Sequence, residues 1–303
     1  MNASLRRLDS FPLVAGWLAL IALPSACAKS PSAMTTPPAT MDASADAAPA
    51  APPCPADEDL ISDFTMDNGV HPVDGRQGGW YTYGDHNGFG LLDPMEGMGV
   101  KPDLTVGNPT CSKEGSLHVT AKNFTDWGAA TGVDFKLPVT LDGGGTGKGT
   151  YDASKYRGIS FWAKAAAPIK FASVKFTDPY TEIPSVLGDA MSCLSKPMDP
   201  KNCSPYLVKF GYGYTGSNLD AIMADYPSYK DTKIDTTWKQ FVVLFADTKQ
   251  DRYNLGQKSP GDHLDVAHLE GMAIQVNADF TAGATMPKAN DFEIWVDDVG
   301  FVK

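Results

Sequence analysis

The sequence predicts an all-β protein, a two-sheet β-sandwich with long loops that follows a disordered N-terminal tether. Three observations carry that expectation. Apolar and polar residues alternate with period two in nine separate segments, each bounded by Gly, Pro, Asn or Asp. Glycine (29) and proline (23) are enriched among the 303 residues, above a combined share of about 12% in ordinary proteins, which favours turns. No long amphipathic helical pattern occurs; only 218–226 and 262–269 suggest a short helical turn.

In chain order, the first element is an export signal. Arg6 and Arg7 precede the apolar run FPLVAGWLALIAL, and Pro24, Ser25 and Ala26 lead into Cys27. The run is too short for a mature membrane helix. The small residues before Cys27 resemble the lipobox of bacterial lipoproteins, which implies lipidation at Cys27 and a cell-envelope location. Pro24 stands where that pattern has leucine, and the alternatives are plain secretion after a nearby cleavage and an uncleaved anchor. Residues 1–27 are thus the signal, and 28–56 form an Ala/Pro-rich linker with no apolar face to bury. The net charge of −11 makes nucleic acid an unsuitable partner. A membrane would be reached only through the lipid.

The folded module is expected over 57–303, with the period-two segments at 60–64, 79–83, 116–121, 129–135, 158–165, 169–177, 238–245, 271–277 and 291–302. In 158–165, Ile159, Phe161 and Ala163 share one face, and Ser160, Trp162 and Lys164 the other. Leu117, Val119 and Ala121 oppose His118 and Thr120; Ala172, Val174 and Phe176 oppose Ser173, Lys175 and Thr177; Met272, Ile274 and Val276 oppose Ala273, Gln275 and Asn277. With one face in the core, the other face of the sheet would present Trp162, Lys164, Lys175, His118, Gln275 and Asn277. An indole among amides and amines suits a sugar, whose C–H face stacks on the ring while its hydroxyls bond the polar groups. The plainer alternative puts Trp162 at a sheet edge or under a loop.

Setting Cys27 aside leaves four cysteines, which allow three disulfide connectivities. Cys193 and Cys203 are ten residues apart, a spacing that suits a local bridge and would leave Cys54 to pair with Cys111. No Cys-x2-Cys or histidine pair supports zinc instead. The glycine run 142–149 lacks phosphate-loop spacing.

Four motifs together carry a resemblance: Leu60-Ile61-Ser62-Asp63-Phe64 followed by Gly78-Gly79-Trp80-Tyr81-Thr82-Tyr83; Tyr156-Arg157-Gly158-Ile159-Ser160-Phe161-Trp162-Ala163-Lys164; Thr237-Trp238-Lys239-Gln240-Phe241; and Phe292-Glu293-Ile294-Trp295-Val296-Asp297-Asp298-Val299. The module resembles the galactose-binding-type jelly rolls of bacterial carbohydrate-binding modules, family 11 and related families. The resemblance implies a two-sheet jelly roll, a sugar-binding face or edge, and a structural calcium (Ca2+) joining the first and last strands. Asp63, Asp67 and Asp297 would supply its oxygen ligands; on a regular strand Asp297 and Asp298 cannot face the same side. The resemblance is interrupted by the insertion 179–235, rich in tyrosine. Tyr212 and Tyr214 are its candidates for ligand contact, and the insertion's other tyrosines, Tyr206, Tyr226 and Tyr229, would meet ligand or pack the loop.

No nucleophile elbow, zinc-protease motif or histidine cluster occurs; the five histidines are scattered at 71, 86, 118, 263 and 268. The glutamates include no pair marked for burial, which a glycosidase acid would need. The expected function is non-catalytic binding of a polysaccharide or oligosaccharide at the cell envelope, the alternatives being a jelly-roll glycoside hydrolase or lyase and a structural envelope protein.

Overall fold

A computed structural model describes residues 54–65, 69–85, 89–97, 99–111, 114–140, 146–169, 171–181, 204–211, 224–250, 261–279 and 288–303. Fifteen strands are described: β1 Leu60–Ser62, β2 Trp80–Gly84, β3 Leu91–Asp93, β4 Pro102–Asp103, β5 Ser116–Lys122, β6 Ala129–Asp134, β7 Val139–Thr140, β8 Thr146–Gly147, β9 Gly158–Ala165, β10 Ala172–Thr177, β11 Tyr206–Phe210, β12 Lys239–Leu244, β13 Lys249–Gln250, β14 Gly271–Val276 and β15 Phe292–Val302. Every one of the nine alternating segments overlaps one of them. Of the two suggested helical turns, the second holds a 3-10 turn at Val266–His268; residues 218–223 of the first lie outside the described residues.

The strands form a sandwich of two antiparallel sheets. The seven-stranded sheet runs β12-β9-β15-β5-β3, with β1 also paired to β15 and β4 to β5; the six-stranded sheet runs β13-β11-β10-β14-β6-β2. Alternation decides which side chains meet between them. Ile159, Phe161 and Ala163 from β9, Val174 and Phe176 from β10, and Ile294 and Val296 from β15 are all buried in one core. Aromatic rings fill its middle: Phe161 stacks on Phe241 at 5.2 Å, and Phe210 lies 5.6 Å from Phe241 across the sandwich. Each such ring contributes about 1.5–3 kcal/mol by leaving water. At one end the fully buried Arg76 guanidinium donates to the Leu60 carbonyl and the Tyr151 hydroxyl, and lies over the Tyr151 and Phe301 rings. Its two terminal nitrogens are hydrogen-bonded while its flat face packs as an aromatic would.

Strand β11 comes from the insertion expected to be loop. Tyr206, Val208 and Phe210 point into the core and pair with Phe176, Val174 and Ala172 of β10. Its alternate positions are Leu207 and Lys209, so only one of the two is polar and the alternation is too short to mark the strand. Tyr226 and Tyr229 are also core residues, so of the two roles open to the insertion's tyrosines these, like Tyr206, take packing. The Tyr229 hydroxyl donates to Asp247, and burial together with that bond pushes its pKa up to about 12.

Cys54 and Cys111 form a disulfide that ties the start of the module to the loop before β5. Cys193, Cys203 and Cys27 lie outside the described residues.

Candidate functional site

The six residues expected on one face lie on two. His118, Trp162 and Lys164 belong to β5 and β9 of the seven-stranded sheet, whereas Lys175 and Gln275 belong to β10 and β14 of the six-stranded sheet, with Asn277 just beyond. The two outer faces look away from each other across the core. Alternation marks which side chains point away from the core, but not which sheet a strand joins.

On the six-stranded sheet the outward residues of neighbouring strands meet in register. Tyr81 and Tyr83 of β2 lie opposite Gly132 and Ala130 of β6; Ala130 lies opposite Gln275 of β14, and Gln275 opposite Ser173 of β10. The small residues leave room for the large ones to lie flat. A Cβ on Gly132 would come within 2.9 Å of the Tyr81 ring.

The aromatic side chains form a row. Tyr81 and Tyr83 have ring centroids 5.8 Å apart, Tyr83 and Trp127 5.7 Å, and the Lys175 ammonium lies 5.9 Å from the Trp127 ring. At the opposite end Lys148 lies 5.9 Å from the Tyr81 ring and pairs with Asp134 at 3.2 Å, while the Tyr81 hydroxyl approaches Asp134 at 3.4 Å. Ser173 donates to the Asn277 side-chain oxygen at 3.2 Å. The Gln275 amide donates to the Trp127 carbonyl at 3.1 Å, while its own oxygen is buried without a partner among the described residues.

Trp127 is on a loop, so its orientation needs support from elsewhere. The Asp85 carboxylate accepts from the amides of Asp126 and Gly128, on either side of the indole, at 2.8 and 2.9 Å. Gly128 has φ +107°, and a Cβ there would collide with the Val276 carbonyl at 2.1 Å. A buried carboxylate and a glycine that nothing can replace thus hold the row's last ring.

The outer face of the seven-stranded sheet is built differently. Trp162 is only 7% exposed and its indole nitrogen has no hydrogen-bond partner among the described residues. It sits beside Asp297, to which the Asn108 amide of the 104–110 loop is bonded at 2.8 Å. Trp162 is therefore packed, as the plainer alternative had it. Lys164 points over two indoles, 4.7 Å from Trp295 and 5.4 Å from Trp238. His118 stacks on Trp295 with centroids 4.6 Å apart and bonds Glu293 at 3.0 Å.

The carboxylates expected to bind calcium have other partners. The first and last strands do neighbour, through Leu60 with Gly300 and Ser62 with Val299. Asp63, however, is bonded to His71 and Thr65, and Asp297 to Asn108 and Asp298. Burial pushes the Asp63 carboxyl up, but the bonds from His71 and Thr65 outweigh it and hold its pKa below the usual value. Among the described residues no three acidic, histidine or cysteine side chains are grouped to hold a metal. Asp67, the third ligand expected for calcium, lies outside the described residues. The expectation that Asp297 and Asp298 face opposite sides is corrected. A bulge between Asp297 and Gly300, with Asp298 at φ +46°, turns both carboxylates to Asn108, whose amide bonds one and whose side chain the other at 2.9 Å.

Sequence reasoning found Lys175, Gln275 and Asn277 but not the aromatic row beside them. Tyr81 and Tyr83 were legible as the alternate positions to Trp80 and Thr82. Trp127 carries no periodic signal. Tyr212 and Tyr214 lie outside the described residues.

No protein-family model matches the chain, and no curated protein matches it. Solved structures do. The chain is similar to a family 11 carbohydrate-binding module from Clostridium thermocellum in complex with a β-1,3-1,4-mixed-linked tetrasaccharide, at 12% identity and a TM-score of 0.42, covering 80% of this chain and 94% of that one. It is also similar to the family 30 carbohydrate-binding module of a cellulosomal cellulase from the same organism, at 13% identity and a TM-score of 0.40, covering 80% and 96%.

Proposed function

We propose that this protein binds an oligosaccharide or polysaccharide on the outer face of its six-stranded sheet, without catalysis. The observation that carries the reading is the row Tyr81, Tyr83, Trp127, ended by Lys175 and by the Lys148–Asp134 pair. Half-buried rings in line offer successive apolar platforms to the C–H faces of consecutive sugar units. The cations, Asp134 and the Asn277 amide at its margins supply donors and acceptors for hydroxyls. The rings are held by backbone register and by Asp85, so little ordering entropy opposes binding.

The same reading places the module on a tether at the cell envelope, supported by the signal-like 1–27 segment, the lipobox-like approach to Cys27 and the linker 28–56. Electrophoresis of the protein through gels containing soluble glucans, xylans or galactans tests the binding. Retardation with polymer length unchanged is expected. Unretarded migration in every polymer, or shortening of the chains, overturns the reading.

A further inference from the structure

An open cleft of about 650 Å³ lies on the far side of the sandwich, against the outer face of the seven-stranded sheet. Thr105, Val106, Gly107 and Pro109 form one wall, and Lys164 and Trp238 another. The loop wall is fastened at several points. Asp103 accepts the Thr105 amide at 2.9 Å, Ser116 donates to the Val106 carbonyl, Asn108 binds both Asp297 and Asp298, and the Cys54–Cys111 disulfide closes its end. The cleft is thus preformed.

Its charge pattern is what distinguishes it. In a chain with 36 acidic residues against 25 basic ones, Lys164 lies over the Trp238 and Trp295 rings with no carboxylate partner among the described residues. The nearby acids are engaged elsewhere: Glu293 is bonded to His118 at 3.0 Å, and Asp103 holds Thr105, whose hydrogen bonds keep its pKa low, and meets the Trp295 indole N–H at 3.5 Å. Trp295 is covered by His118 and Lys164, so the Trp238 indole and the Lys164 ammonium are the groups that line the cleft, and they suit a ring that has both a C–H face and a negative charge.

We propose that this cleft binds an acidic sugar unit, a uronate, with its ring against Trp238 and its carboxylate at Lys164. The Lys164 ammonium gives that carboxylate a charge-assisted bond without a protein carboxylate having to be displaced, and the Trp238 indole remains as the apolar surface. The site rests on the saccharide reading for the class of ligand, but shares no residue with the first face and would bind independently of it.

The test uses the folded protein and intrinsic tryptophan fluorescence with calorimetry. The probes are oligomers of galacturonate, glucuronate, mannuronate and guluronate, beside neutral gluco-, xylo- and galacto-oligosaccharides. At least one uronate oligomer is expected to bind, with affinity that falls as salt is raised from about 0.05 to 0.5 M. Lys164→Met and Trp238→Ala should each weaken it at least tenfold, Lys164→Arg should retain it, and Trp127→Ala should leave it unchanged. If Lys164→Met lowers the melting temperature, the comparison of Lys164→Arg with wild type, and Trp238→Ala, still decide. The proposal is overturned if no uronate oligomer binds, if Lys164→Met binds uronates as wild type does, or if Trp127→Ala abolishes uronate binding. Loss of neutral-sugar binding on Trp127→Ala, with uronate binding intact, supports two sites. Uronate binding with no neutral sugar bound would sink the first-face reading while sustaining this one.

Discussion

The Asp85 carboxylate accepts the Gly128 amide at 2.9 Å, and the same oxygen takes the Asp126 amide, so one buried side chain fixes the peptide units on both sides of Trp127. Asp85→Ala should leave those two donors unmet and lower stability by about 1–3 kcal/mol. It should also free the indole. The expected signature is a red-shifted tryptophan emission together with weaker retardation in polysaccharide gels. Unchanged retardation would remove Asp85 from the positioning of Trp127.

Tyr83→Ala and Trp127→Ala test the row directly. Each should reduce affinity for the retarding polymer about tenfold, equivalent to ~1.4 kcal/mol, with the melting temperature little changed because both side chains are half-buried. Full affinity in both variants would move the site elsewhere.

Trp162→Ala should do the reverse. Its side chain is 7% exposed, and truncating it should cost about 3 kcal/mol of stability through the cavity left behind. Polysaccharide retardation by the remaining folded protein should be unaltered, as measured below the melting temperature.

Gly132→Ala places a methyl group 2.9 Å from the Tyr81 ring and 3.2 Å from the Met272 carbonyl. The ring must lift or the strands must part. Reduced retardation with a modest drop in melting temperature is expected, whereas wild-type values for both would show that Tyr81 need not lie flat.

Two measurements concern stability alone. Removing the Cys54–Cys111 bridge, which closes a loop of sequence separation 57, should cost about 4 kcal/mol on the chain-entropy estimate, readable by denaturant unfolding of the Cys54→Ser/Cys111→Ser protein. For pH, the folded-state pKa of Asp63 lies below its unfolded value. Its stabilisation is therefore fully present above about pH 4 and lost as pH falls through the folded pKa. Asp63→Asn should flatten that acid limb of the melting curve, and an unaltered limb would show that His71 and Thr65 stabilise nothing through it.

How far the fold could be read from sequence follows from what alternation encodes. A period-two pattern is a local property, and it located β9, β10, β14 and β15 because each has one face in the core and one outside. It missed β11, whose Leu207 takes an outward position, and short strands such as β3 and β4, which are held by pairing to β5 rather than by a pattern of their own. It also could not locate Trp127, which is set in place by Asp85, 42 positions earlier in the chain, through the neighbouring Asp126 and Gly128 amides.

By itself the sequence determined an acidic, β-rich module with its apolar residues on one side of the longer strands; it left three disulfide connectivities open, of which the structure has Cys54–Cys111. Sheet membership was left to the tertiary structure, because hydrogen bonds between distant strands, not the residues within one, decide which outward faces join. That decision put Lys175 and Gln275 with Tyr83 and Trp127 on one face and Lys164 with Trp238 and Trp295 on the other, and turned Trp162 from a ligand platform into a packed side chain.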